Sequence, residues 1–348
     1  MKSNPVVIAS LPRAFRSTAA FGALAALLLL PASPARADDA SAGNPTPLPV
    51  ALVNALNKLS GGPHPGYRAN HAKGVMVTGT FTPAAGARSL SKAPHFGHAV
   101  PVTVRFSDTT GVPTLPDADP NASPHGMAIR FQLPKGGTTD IVSISANGFP
   151  VATPEDFLAL LQAIGASGPD APKPTPIEQF LGSHPAAAKF VMTPRPAPES
   201  FATLAFYGVN AFKFTNAKGK QSYIRYQILP EAGEHALRDD AAAKAAPDYL
   251  MDELPARVTK APVRFKLLAQ VARAGDNVND PTAVWPASNR VVELGTISLT
   301  RAVADQAGEQ KKILYNPVSL PPGIEPSADP VLAMRFPAYA VSFGQRAQ

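Results

Sequence analysis

Arg335 and Tyr339 are the residues of this sequence whose types and spacing point most directly to chemistry. They sit four positions apart in the apolar run that opens at Pro330. If that run is helical, they share a face. A free tyrosine ionises near about pH 10, and a guanidinium within reach lowers that value. An arginine one turn before a tyrosine can therefore present a phenolate. A phenolate is a hard anionic ligand for ferric iron, and tyrosine is among the side chains that hold haem iron axially. Taken alone, such a pair is more often a cation–π or hydrogen-bonded pair on a helix surface. His71 stands just before an alternating run at Gly74, where an isolated histidine is by default a packing or surface group. His95 and His98, three apart after Pro94, could touch one metal; with no third ligand evident, a loop is the simpler reading.

The elements that must position these groups follow from periodicity. Ser327 as N-cap, Asp329 in the positive first turn and Pro330 predict the start of the helix that carries Arg335 and Tyr339. Pro337 lies inside it and predicts a kink before Tyr339. Upstream, helical spacing of Val50, Leu52, Val53, Leu56 and Leu59 predicts a short helix that Gly61-Gly62-Pro63 stops. Alternation predicts strands from Gly74, through Val102–Ser107, from Met127, and over Asp140–Ser145. Helices are predicted from Pro154 through Ile164 and over Pro176–Phe190. A hairpin follows, turning at Asn216–Gly219. Residues 231–262 read as helical, and strands return from Ala261 and over Val291–Leu299. The fold class is α+β. About eight antiparallel strands close into a β-barrel, with helices inserted between them and flanking them. No linker separates two cores, so residues 38–348 read as a single domain.

Composition narrows the setting. Lys2, Arg13 and Arg16 precede an apolar run from Ala19 to Leu30, and Ala35-Arg36-Ala37 offers a small-x-small cleavage site before Asp38. Residues 1–37 thus read as a cleavable signal peptide. The run is too short to span a bilayer, so no stable membrane anchor is expected. The reading places the mature chain in the periplasm or outside the cell. Losing the four cations of that segment lowers the formal charge from +7 to +3. No basic run is interleaved with aromatics, which argues against a nucleic-acid partner. The chain has no cysteine, which excludes both disulfide staples and c-type haem attachment.

Longer strings add a resemblance. Asn316-Pro317, Pro322-Gly323-Ile324-Glu325-Pro326-Ser327 and Arg335-x-x-x-Tyr339 together resemble the proximal haem segment of the haem catalases. Arg68-x-x-His71-Ala72-Lys73-Gly74, leading into a strand, resembles their distal segment. The two anchors lie 268 positions apart, in the family's order. Val104-Arg105-Phe106-Ser107 resembles a strand whose arginine binds a haem propionate. The stretch around His125 resembles a strand that usually carries arginine at that position. The stretches from Ala205 and around Trp285 also match. With its signal peptide and short core, the chain is similar to the catalase-related peroxidases.

The resemblance implies a catalase-type barrel holding haem b, with Tyr339 as the iron ligand and Arg335 keeping it a phenolate. It implies that His71 is the distal acid–base residue. Peroxide must lose a proton from one oxygen and regain one on the other as the O–O bond breaks, and a neutral imidazole can do both. Arg68 and Arg105 would meet the propionates, for which bidentate cations are suited, and Phe157 would pack on the haem. The family's distal asparagine falls on Ile144 or Ser145, or on Asn147 with a local shift. That departure, and the absence of the long arm and helical region of large catalases, favour oxidation of small organic reductants by hydrogen peroxide over rapid dismutation. A monomer or dimer is expected. Two alternatives stay open: a catalase-fold hydroperoxide isomerase, and a non-catalytic carrier of haem or another apolar ligand.

Overall fold

Ten strands account for the sheet: β1 (Gly74–Pro83), β2 (Val100–Ser107), β3 (Gly126–Gln132), β4 (Thr138–Ile144), β5 (Phe206–Tyr207), β6 (Phe212–Thr215), β7 (Gln221–Pro230), β8 (Val263–Val271), β9 (Val291–Ala302) and β10 (Ile324–Pro326). The structure, a computed structural model, describes residues 45–346; the expected signal peptide lies outside the described residues. Eight strands close a ring in the order β7-β5-β4-β3-β2-β1-β9-β8, with β8 returning to β7. All pairings are antiparallel. The remaining two extend the sheet outward, β6 on β7 and β10 on β6. The α+β class and the eight-stranded barrel are as the alternation predicts.

The barrel interior is aromatic and aliphatic. Phe106 stacks on Phe201 with ring centres 5.3 Å apart and neighbours Phe206 and Phe265. Phe81, Phe96 and Phe131 surround His95, which is buried at 1 % exposure. His98 is exposed, so the two histidines do not converge on a metal. The helix Tyr249–Lys260 adds Leu250, Leu254 and Val258, one turn apart, to the same core.

Three further helices lie outside the barrel wall. Leu48–Leu59, Pro154–Gly165 and Pro330–Arg346 pack on one another. Asn57 Nδ2 donates to Gln345 Oε1 at 2.8 Å and ties the first to the last. Among the described residues, no helix is long and apolar enough to cross a membrane.

Several expectations change in detail. The helix expected over Pro176–Phe190 is two, Pro176–Ser183 and Pro185–Met192. Pro185 lacks the N–H that would carry the first across the junction. Residues 231–262 hold only two helices, Asp239–Ala242 and Tyr249–Lys260. Ser327 does not cap the final helix, and its hydroxyl is buried without a partner. Asp329 does so instead, its Oδ1 accepting from Val331 N at 2.8 Å and Leu332 N at 3.3 Å. That helix is continuous through Pro337.

The seam between β1 and β9 shifts register between Thr78 and Gly79. A methyl group on Gly79 would collide with the Ser298 carbonyl oxygen and lie 2.8 Å from Leu299 Cα, both backbone atoms. We therefore expect Gly79→Ala to destabilise the barrel by about 3 kcal/mol, the upper end for overpacking, read as a lowered urea midpoint.

Candidate functional site

A cavity of about 240 Å³ lies between the outer face of the barrel and the three helices. Its barrel side is formed by Arg105 and Ser107 of β2, Gly126 and Ala128 of β3, and Val142 and Ile144 of β4. Pairing places these residues side by side, Ser107 opposite Gly126, Arg105 opposite Ala128, and Gly126 opposite Ile144. Their neighbours Val104 and Phe106 point into the barrel core, so the pleat alone separates cavity from core. All six sequence-identified residues, Arg68, His71, Arg105, Phe157, Arg335 and Tyr339, line this one cavity. Asn147 does not: it is exposed, and Ile144 holds the cavity wall in its stead.

The final helix supplies one side. Arg335 Nε and Nη2 donate to Tyr339 Oη at 2.9 and 2.8 Å. A guanidinium only donates, so the phenol oxygen accepts both bonds, an arrangement suited to a phenolate. Arg335 Nη1 donates to Asn210 Oδ1 at 2.7 Å, and Asn210 Nδ2 donates to Asp329 Oδ2 at 2.7 Å. Asn210 and Asp329 are each 1 % exposed, and burial pushes the Asp329 carboxyl up. The sheet extension makes this chain of bonds. Pro326 of β10 faces Phe212 of β6, and Ser327 N donates to Ala211 O at 3.2 Å. Asn210 immediately precedes Ala211, and Asp329 lies two residues past Ser327. An amide has no protonation equilibrium near neutral pH, so Asn210 orients Arg335 and moves no proton.

The loop before β1 supplies another side. His71 is the only non-glycine residue with positive φ among the described residues, at 57°. That conformation costs about 1–2 kcal/mol for a non-glycine residue. It is held by His71 N donating to Thr109 O at 3.0 Å and by Arg105 Nη2 donating to the His71 and Ala72 carbonyls at 2.9 and 3.0 Å. Ala69 N donates to Ser342 Oγ at 3.1 Å, which joins this loop to the final helix. The imidazole Nδ1 lies 3.0 Å from Ser107 Oγ. A Cβ at Gly126 would come within 2.8 Å of the ring, so only glycine leaves space for the imidazole. Burial first, then Arg105, Arg335 and Arg68, push the His71 ring down to about 3. It is neutral at ordinary pH.

His125, where the resemblance has arginine, is buried with Nδ1 3.1 Å from Asp108 Oδ1. Asp108, Asp117 and Asp248 gather around Lys73 behind the His71 loop.

The third feature is cationic. Arg68 Nη2 and Arg346 Nη2 both donate to the Ile313 carbonyl, at 3.1 and 2.7 Å, and Arg105 Nε donates to Gln310 Oε1 at 2.7 Å. None of the three forms an ion pair among the described residues. Burial, and their mutual repulsion, push Arg68 well below the usual guanidinium range. Burial pushes Arg105 and Arg346 down to about 10 each. The buried Arg105 and Arg346 and the partly exposed Arg68, with no carboxylate partner among the described residues, make a site for a carboxylate-bearing ligand. Phe157 completes the lining, its ring centre 5.1 Å from that of Phe149.

Sequence reasoning missed Asn210, Ser107, Gly126 and Arg346. Arg346 was legible, because Arg335, Tyr339, Ser342 and Arg346 recur at helical spacing and all four line the cavity. Asn210 carries no such signal, since its partners lie 119 and 125 positions away.

The family model described as catalase matches residues 64–347. A catalase-related peroxidase of Mycolicibacterium paratuberculosis is 37% identical over 84% of this chain and 93% of its own length. One of Synechococcus elongatus is 34% identical over 85% of this chain and 89% of its own. The fold is similar to that of a solved fungal catalase, with TM-score 0.72 and 22% identity; the match covers 82% of this chain and 60% of the fungal one. The chain belongs to the catalase family, and a haem cofactor follows from that membership.

Proposed function

We propose that this protein is an exported, periplasmic haem b peroxidase. It reduces hydrogen peroxide, and organic hydroperoxides that fit its apolar pocket, with electrons from small organic donors. The observation that carries the reading is that His71 and the Arg335–Tyr339 pair line one cavity edged by three arginines that form no ion pair among the described residues. The two bacterial relatives named catalase-related peroxidase support it. These residues fit haem. Tyr339 offers the iron a phenolate oxygen, Phe157 offers an aromatic face, and Arg68, Arg105 and Arg346 offer charge to propionates.

Bound there, haem would supply the redox-active iron that passes electrons from the donor to peroxide. The chain's own residues do the rest. Ser107 Oγ accepts from His71 Nδ1–H, which leaves Nε2 with its lone pair for the substrate. Nε2 takes the proton from one peroxide oxygen and returns it to the other, so that this second oxygen leaves as water when the O–O bond breaks, and two electrons and two protons from the donor convert the remaining oxygen to a second water. Arg105 fixes the His71 backbone, and Gly126 fixes the ring plane. Val142 and Ile144 keep the wall beside His71 apolar, and Asn147, the candidate for aligning peroxide for dismutation, is exposed and off the lining. The isomerase reading draws on the same apolar wall; it would consume hydroperoxide with no donor.

The test is stoichiometry. With haem, hydrogen peroxide and a small phenol, donor oxidation should track peroxide loss and little oxygen should evolve. His71→Ala should keep its haem and lose donor oxidation by roughly 10²–10⁴-fold. An unchanged rate in that variant, or peroxide loss without donor, would contradict the reading.

The depressed His71 value also fixes a pH dependence. Because the ring stays neutral down to about 3, kcat/KM should show no inflection near 6.5 from this group. Stability has the matching sign. The unfolded chain takes up a proton at the ordinary value of 6.5 that the folded ring refuses until about 3. Stability is thus full above 6.5 and falls as pH drops through that window. His95, pushed down to about 3 by burial, adds to the same loss. Urea midpoints across this range check the sign, and a His71→Gln variant should show a shallower fall.

A further inference from the structure

Tyr315 lines the cavity, is 6 % exposed, and its hydroxyl has no hydrogen-bond partner among the described residues. A buried hydroxyl without a partner is costly. It is also held firmly. Arg130 binds Asp140 through two bonds, at 2.9 and 2.7 Å. The same Arg130 donates to the carbonyl of Leu314, and Asp140 Oδ2 accepts from Asn316 N at 2.7 Å. The backbone is thereby clamped on both sides of Tyr315. The Arg130 guanidinium also lies over the tyrosine ring, 5.3 Å from its centre. A rigid clamp that leaves one polar atom unpaired in a cavity suggests that the missing partner is a ligand.

The surroundings identify the partner's chemistry. Arg68 and Arg346 converge on the carbonyl of Ile313, two residues before Tyr315, and Arg105 is the other nearby cavity cation. Arg130 is already engaged by Asp140, whereas these three meet no carboxylate among the described residues. Burial pushes the Tyr315 phenol up, so it stays protonated and can donate. A carboxylate has acceptor sites for a guanidinium and a phenol together.

We propose that Tyr315 is a fourth member of the anion-binding edge of this cavity, donating its hydroxyl to a carboxylate that Arg68, Arg105 and Arg346 also meet. On the haem reading above, on which this rests, that carboxylate is a propionate. Tyr315 is then a positioning residue that slows cofactor loss without touching iron or peroxide.

The test compares the full chain with Tyr315→Phe, each loaded with haem b or with its dimethyl ester, which has the same ring and iron but no carboxylates. Transfer to excess apomyoglobin reports dissociation. Tyr315→Phe should release haem about tenfold faster, as expected for loss of a hydrogen bond to a charged group. It should release the dimethyl ester at the wild-type rate. The haem-free variant should melt at or above the wild-type temperature, because the substitution removes an unpaired buried hydroxyl. Equal haem release by both proteins would overturn the proposal. So would equal acceleration for both porphyrins, or a lowered haem-free melting temperature, since either would mark Tyr315 as a packing residue. A wild-type chain that retains neither porphyrin would overturn the haem reading itself, an outcome separable from all the others.

Discussion

The structure depends above all on the pair of hydrogen bonds from Arg335 to Tyr339 Oη. They hold the phenol oxygen of a helix residue that lines the cavity. One turn of helix brings the two residues together, but a long arginine side chain has many rotamers and would not stay on one atom unaided. Asn210 and Asp329 remove that freedom. Asp329 serves twice, capping the helix through one carboxylate oxygen and holding Asn210 through the other. The short pairing of β10 with β6 is what brings these two residues face to face. A three-residue strand at the edge of the sheet thus sets the geometry of the Arg335–Tyr339 side of the site.

The His71 side is built on a different principle, strain held by charge. Arg105 both stabilises the left-handed His71 backbone and contributes to the cationic edge. Its charge also helps keep His71 neutral. One buried arginine therefore couples the position of His71, its protonation state and the demand for an anionic ligand. The cationic edge is unfavourable in isolation, with two buried guanidinium groups, a third partly exposed, and no carboxylate partner among the described residues. Its persistence is the best physical argument that the cavity is shaped for a dianionic ligand.

Much of this was legible in the sequence. Alternation in Val75–Phe81, Val102–Phe106 and Met127–Phe131 gave the strands, because one face of each is buried in a continuous core. The Arg335–Tyr339 pair and His71 were legible because local spacing and flanking strings carry them. What escaped depends on tertiary pairing. β5 is two residues long and has no period to read. Asn210 looks like any loop asparagine until β6 and β10 meet. Asn147 was a candidate only by counting along the chain, whereas its loop turns it outward and leaves Ile144 on the wall. Ser327 and Asp329 have similar propensity as caps, but Asp329 lies two positions nearer the first helical residue that needs an acceptor, Val331.

The most direct test of the account is the absorption spectrum of the purified chain loaded with haem, beside that of Tyr339→Phe. The account predicts a ferric spectrum with a phenolate-to-iron charge-transfer band in the wild-type chain, and loss of that band in the variant. An identical spectrum from both proteins, or a wild-type chain that takes up no haem, would contradict it.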